Sequence, residues 1–201
     1  MGKVIEMAIK FPPTSPLTFS LEVGCFRFYA IQRHGLQMYG HLPYAFHLAV
    51  VESYLADFGF DSNDYRSAAW LHDVVEDTAT TLEELARLYT PNVVSMVWAC
   101  TGEGSNRKER NASIYRKLKE FPKGAPVKVA DRLANVDMGM SSGNIKKLKM
   151  YVEEFEEFSK NIKPLMEDAG KDHRQLWNTL QDTMKKAELM VSLPLTTQKA
   201  A

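Results

Sequence analysis

Two cysteines, Cys25 and Cys100, are all that the 201 residues contain. So few thiols, so far apart, exclude a disulfide scaffold and a thiolate zinc site, and they read as reduced core residues of a cytoplasmic protein. Excess charge is also lacking. Twenty-five Lys and Arg balance 25 Asp and Glu, so no general field draws the chain to nucleic acid or to a membrane surface. No apolar run reaches bilayer length. The N-terminal stretch MGKVIEMAIKFPPTSPLTFS lacks the apolar core of a secretory signal. Strand-like alternation, internal repeats and an interdomain linker are missing as well. These absences predict one all-α domain over residues 1–201, with its core at about 20–190.

What is present is helical patterning. Pro12, Pro13 and Pro16 forbid a long helix at the N-terminus, and a mixed helix is expected over 21–37. From Tyr44 to Phe58, Leu48, Val51, Leu55 and Phe58 recur at helical spacing until Gly59 stops them. Asn63 or Asp64 is the expected cap of a helix running to Asp77. Thr81-Leu82-Glu83-Glu84 is a capping box that starts a helix at Leu82. Thr90 caps the next, with Pro91 at its first position. Residues 101–111, TGEGSNRKERN, read as a flexible basic loop before a helix over ASIYRKLKEF. After the break at Pro122–Pro126, helices are expected over Val127–Met138, Ile145–Met166 and His173–Leu189, followed by a loose tail.

Histidine is scarce too, with five in all, and this focuses attention on AAWLHDVVEDTATTLEEL. There His72, Asp73, Glu76 and Asp77 fall within six positions beside residues that look like core. On one helix His72 would share a face with Glu76, and Asp73 with Asp77. Carboxylates buried without partners are costly, so a cation is expected among them. His47 lies in the apolar helix PYAFHLAVV. In VKVADRLANV, Asp131 shares a polar stripe with Lys128 and Asn135, opposite Val129, Leu133 and Val136. Singly, each is ordinarily a satisfied core polar group or part of a solvated face. Together, two imidazoles and two carboxylates suit Mn²⁺, Fe²⁺, Zn²⁺ or another divalent ion with room for water, not a closed structural zinc.

The segments HGLQ…PYAFH, LHDVVEDT followed by TTLEEL, and VKVADRLANV resemble the HD-domain phosphohydrolases. They look most like the hydrolase half of the RelA/SpoT alarmone enzymes and their single-domain relatives. The resemblance runs from about Arg27 to Ser159 and touches nothing of the synthetase half. It implies a helical bundle, and a metal held by His47, His72, Asp73 and Asp131. It further implies that Glu76 and Asp77 position and deprotonate the attacking water. Residues 74–130 contain no histidine, so one ion, Mn²⁺ by expectation, is the economical count.

The same resemblance makes Asn135 a substrate contact and places Tyr151 near the nucleotide. Arg107, Lys108 and Arg110 are expected to meet phosphates, as Arg does through paired hydrogen bonds. Lys128 either neutralises a phosphate or pairs with Asp131. His34 is expected to support the site without ligating the metal. The sequence departs from the family between Gln37 and Pro43, where MYGHL carries no Lys or Arg. Met38, Tyr39 and His41 replace the basic residues usual there, with Tyr39 expected to offer a stacking face. The implied activity is a (p)ppGpp-type 3′-pyrophosphohydrolase with a small nucleotide as substrate and no nucleic-acid or membrane partner. Oligomeric state stays open. Competing readings are an NADPH 2′-phosphatase, a deoxynucleotide phosphohydrolase and a nucleotide-binding sensor without turnover.

Overall fold

The computed structural model describes residues 26–193. The expectations for the proline-containing N-terminus, for Cys25 and for the chain after 193 lie outside these residues. Helix α1 (Phe26–His34) leads through Gly35 into a short antiparallel pair, β1 (Met38–Tyr39) and β2 (Leu42–Pro43). Met38 faces Pro43 and Tyr39 faces Leu42. The turn between them needs Gly40, whose φ is +63°. This hairpin is the one departure from an all-helical reading among the described residues. Two-residue strands are too short to show a period of two in sequence.

Helix α2 (Tyr44–Asp57) ends as expected, at Gly59 with φ +82°. Helix α3 (Asn63–Leu71) is capped by Ser62, which accepts from the Tyr65 N–H, and not by Asn63 or Asp64. Asp64 instead accepts from Thr90 Oγ1 at 2.9 Å and Asn92 Nδ2 at 3.1 Å. Those bonds hold α3 against the start of a later helix.

The expected continuous helix to Asp77 is not formed. The chain breaks at His72–Asp73 and resumes as the single turn α4 (Val74–Asp77). Helix α5 (Leu82–Leu88) has the expected Thr81 cap. The Glu84 side chain, however, turns away to Tyr29 and Arg33, so the capping box is half made.

Helix α6 (Pro91–Cys100) starts on the Thr90 cap with Pro91 first. Helix α7 (Arg107–Glu120) begins earlier than expected, because Asn106 accepts from the Glu109 N–H while Glu109 accepts from Ser105. Arg107, Lys108 and Arg110 are therefore in a helix, not a loop. After a short 3₁₀ turn, Pro122–Gly124, come α8 (Ala125–Ser141), α9 (Ile145–Glu167) and α10 (Lys171–Ser192), each somewhat longer than its sequence pattern suggested.

Helix α8 is central and packs on α2, α9, α10 and α6. Accordingly Val127, Val129, Ala130, Leu133, Ala134 and Val136, on nearly all its faces, are buried. Leu148 of α9 approaches α8 at Gly139, where an added Cβ would lie 2.8 Å from its Cδ2. Phe155, Phe158 and Trp177 stack with centroids 6.1–6.4 Å apart and join α9 to α10. Cys100 is buried, as expected, and burial pushes its thiol up to about 12. Among the described residues no helix is long and apolar enough to cross a membrane.

Candidate metal centre

His47 lies one turn into α2, on the side that also buries Leu48, Val51 and Leu55. Asp131 comes from the middle of α8. His72 and Asp73 occupy the break between α3 and α4, and the break has a geometric use. Consecutive residues of a regular helix point about 100° apart. With Asp73 at φ −104°, ψ −6°, outside the helix proper, both side chains turn to one centre. The Asp77 N–H still bonds the Asp73 carbonyl at 2.8 Å, which keeps the next turn attached.

These four side chains each offer an atom within 4.8 Å of the others. His47 Nε2 is 3.3 Å from Asp131 Oδ1 and 3.7 Å from Asp73 Oδ2. His72 Nε2 is 3.0 Å from Asp73 Oδ2 and 3.7 Å from Asp131 Oδ1. Both imidazoles are 1% exposed, yet neither Nε2 makes a well-formed hydrogen bond. The His72 Nδ1 lies 2.8 Å from the Ala69 carbonyl, an acceptor only, so Nδ1 carries a proton and Nε2 is the atom turned to the centre. Two buried imidazole Nε2 atoms without a hydrogen-bond partner, facing two carboxylates, fit a divalent cation among them.

The electrostatics agree. Burial alone would lower the pKa of His72, but the Asp73 charge and the carboxylate oxygens of Asp131 and Asp73 close to Nε2 push it up to about 10. His47 is also raised, because Asp131 and Asp73 outweigh its burial. Burial would raise both carboxyls. The His72 charge instead holds Asp73, and the Lys128 charge Asp131, well below the usual carboxylate range. The cluster attracts positive charge strongly.

Around this centre lies a cleft of about 220 Å³ lined by Glu76, Asp77, Arg107, Arg110, Asn135 and Tyr151 as well as Asp73, Lys128 and Asp131. Glu76 accepts from the Gly102 N–H at 2.8 Å, and Arg110 Nε lies 3.6 Å from it. Asp77 accepts from Gln37 Nε2 at 2.7 Å. Gln37 is in turn fixed by His34 Nδ1 at 2.8 Å, the supporting position expected for His34. Lys128 Nζ donates to Asp131 Oδ2 at 2.8 Å and also faces the cleft, so both expected roles are open to it. Asn135 Nδ2 donates to Asp131 Oδ1 at 2.6 Å.

Two expected substrate contacts fall elsewhere. Lys108 is exposed at the start of α7, outside the cleft. Tyr39 offers no open stacking face: it is buried, its hydroxyl donates to the Ala134 carbonyl at 3.0 Å, and its ring lies 4.7 Å from that of His47. The hairpin folds Tyr39 inward, and alternation in so short a strand is not readable. Of the remaining histidines, His41 is exposed and His173 meets the Phe60 ring edge-on.

The sequence reading missed Tyr44, Gln37, Lys147 and Arg132. Tyr44 donates to Asp73, and its position three before His47 on α2 was a usable signal. Lys147 Nζ donates to Asn135 Oδ1 at 2.9 Å. Nothing in the α9 pattern distinguishes it from neighbouring lysines.

No family model matches the chain. Over 99 residues it is 38% identical to the guanosine-3′,5′-bis(diphosphate) 3′-pyrophosphohydrolase of Aquifex aeolicus, a match covering 47% of this chain and 14% of that protein. A protein of the same name from Drosophila melanogaster is 31% identical over 97 residues, covering 47% and 54%. The GTP pyrophosphokinase rsh of Brucella ovis is 33% identical over 117 residues, covering 54% and 16%. The chain thus spans about half, or much less, of the curated relatives it matches. One solved structure superposes with TM-score 0.59 at 21% identity over 90% of this chain and all of the other. It is that of a metazoan ortholog of SpoT that hydrolyzes ppGpp. The fold is therefore the helical one of that ortholog, and the resemblance read from the motifs is borne out.

Proposed function

We propose that this chain is a metal-dependent nucleotide phosphohydrolase, a 3′-pyrophosphohydrolase of guanosine tetra- or pentaphosphate. One observation carries the reading: the His47, His72, Asp73 and Asp131 ligand atoms converge within 4.8 Å beside Glu76 and Asp77 in one cleft. Similarity to proteins named as pyrophosphohydrolases of that nucleotide supports the substrate.

The four ligands would hold one divalent ion, Mn²⁺ in our reading. When bound, such an ion lowers the pKa of a coordinated water towards neutrality and polarises a phosphoryl oxygen. The chain's own residues do the rest. Glu76 and Asp77 stand at the cleft wall beside the ligands and accept the proton of the attacking water. Tyr44 and Lys128 hold Asp73 and Asp131 in place. Arg107 and Arg110, one turn apart on α7, present guanidinium donors to the phosphates, and Asn135 and Tyr151 line the same cleft, Asn135 next to Asp131. The hairpin supplies no Lys or Arg, which supports a second reading with weaker guanine discrimination, in which the 2′-phosphate of NADPH or a deoxynucleotide is cleaved.

A panel of these nucleotides, incubated with Mn²⁺-loaded protein and resolved by chromatography, tests the proposal. The expected products are guanosine 5′-diphosphate and pyrophosphate from guanosine tetraphosphate. Turnover confined to NADPH or deoxynucleotides would select the second reading.

A further inference from the structure

Glu154 belongs to none of the sequence motifs and does not line the cleft, yet it joins two of the cleft's arginines. Its Oε1 accepts from Arg107 Nε, and its Oε2 accepts from Arg107 Nη2 at 3.0 Å and from Arg132 Nη1 at 3.3 Å. Arg132 is buried, with its guanidinium 4.6 Å from the Tyr151 ring centre and 4.5 Å from that of Phe158. Arg107 is at the mouth, its side chain 43% exposed, and lies 5.5 Å from the same Tyr151 ring.

The arrangement is asymmetric in a useful way. Guanidinium carries five N–H donors in a planar fork. Glu154 takes the Nε–Nη2 edge of Arg107 and leaves the Nη1 edge for another oxyanion. Arg132 holds both the Glu154 carboxylate and the Tyr151 ring. Arg107 is otherwise a long, half-exposed side chain whose ordering on anion binding is costly. With one edge already fixed, less freedom is lost when a phosphate arrives.

We infer that Glu154 is a positioning residue: it acts through Arg107, presetting that guanidinium over Tyr151 for a phosphate group of the substrate. This rests on the phosphate-binding reading of the cleft given above.

The test is calorimetric binding of inorganic pyrophosphate to the full, Mn²⁺-loaded chain, which is independent of turnover. Glu154→Gln should weaken binding about threefold to tenfold, the cost of ordering one freed side chain. Its Mn²⁺ affinity should match wild type. In the Arg107→Ala background the same substitution should have no further effect, and with the nucleotide substrate it should raise KM while kcat stays within about twofold. Additive losses in the double variant, or unchanged or tighter binding by Glu154→Gln, would overturn the inference and leave the phosphate reading standing. Failure of wild type to bind pyrophosphate would overturn both. Should Glu154→Gln unfold, Glu154→Asp keeps the charge beside Arg132, shortens the reach to Arg107 and enters the same cycle.

Discussion

At the scale of single residues, the proposed function divides the centre into groups that would ligate a metal and groups that would accept a proton. Asp73→Ala removes a ligand and should abolish stoichiometric Mn²⁺ binding. Glu76→Gln and Asp77→Asn should bind Mn²⁺ normally while losing about 10²–10⁴-fold in turnover, since each removes only a proton acceptor. Equilibrium dialysis paired with single-turnover rates separates the two classes, and full turnover by both amide variants would assign water activation to the metal alone.

The raised pKa values of His47 and His72 set a pH dependence. A pKa raised on folding contributes stability that is complete below the unfolded value and is lost as pH climbs through the folded one. For His72 that window runs from about 6.5 to about 10. The depressed pKa values of Asp73 and Asp131 act oppositely, contributing above 3.8 and failing as pH falls through their folded values. A divalent ion must displace the imidazole protons, so its binding strengthens as pH rises. The gain in Tm on adding Mn²⁺ should therefore grow from about pH 6 to about pH 9. A gain that shrinks over that range would contradict the ligand assignment.

His72, Asp73, Glu76, Asp77 and Asp131 were legible because ionisable residues among core residues need an explanation. Tyr44, Gln37 and Lys147 were not, since an aromatic, an amide and a surface lysine have ordinary structural uses.

At the scale of elements, two local events build the cleft: the break after α3 and the early start of α7. The first was hidden by continuous helical patterning, because propensity does not register a turn imposed by side chains converging on one point. The second was hidden because RKER has no apolar periodicity, so the helix was read only from the alanine at 112. The Asn106 cap, and the Glu109 carboxylate that accepts from Ser105, were nonetheless present in the sequence. That cap and Gly102 hold the arginine-bearing turn against Glu76. A Cβ at Gly102 would fall 2.7 Å from Arg110 Cβ, on the helix side and not at a flexible tip. Gly102→Ala should thus displace Arg110 and the N–H that serves Glu76, lowering kcat/KM at least about tenfold while the Mn²⁺ affinity stays within about twofold. Wild-type kinetics in that variant would show that this turn does not set the cleft.

At the scale of the molecule, α8 carries Lys128, Asp131 and Asn135 on a polar stripe of a largely buried helix. The α9–α10 pair supports it from behind through Phe155, Phe158 and Trp177. The long helices were readable from periodicity, whereas their mutual placement was not, since it depends on which apolar faces meet. Trp177 is fully buried, so Trp177→Ala should cost about 3–5 kcal/mol in denaturant unfolding. The most direct measurement is a Mn²⁺ titration of metal-free protein followed by pyrophosphate release from guanosine tetraphosphate. One metal held by these four residues predicts release that rises to a plateau at one ion per chain and is absent from Asp73→Ala. Full turnover without metal, or equal turnover by Asp73→Ala, would contradict it.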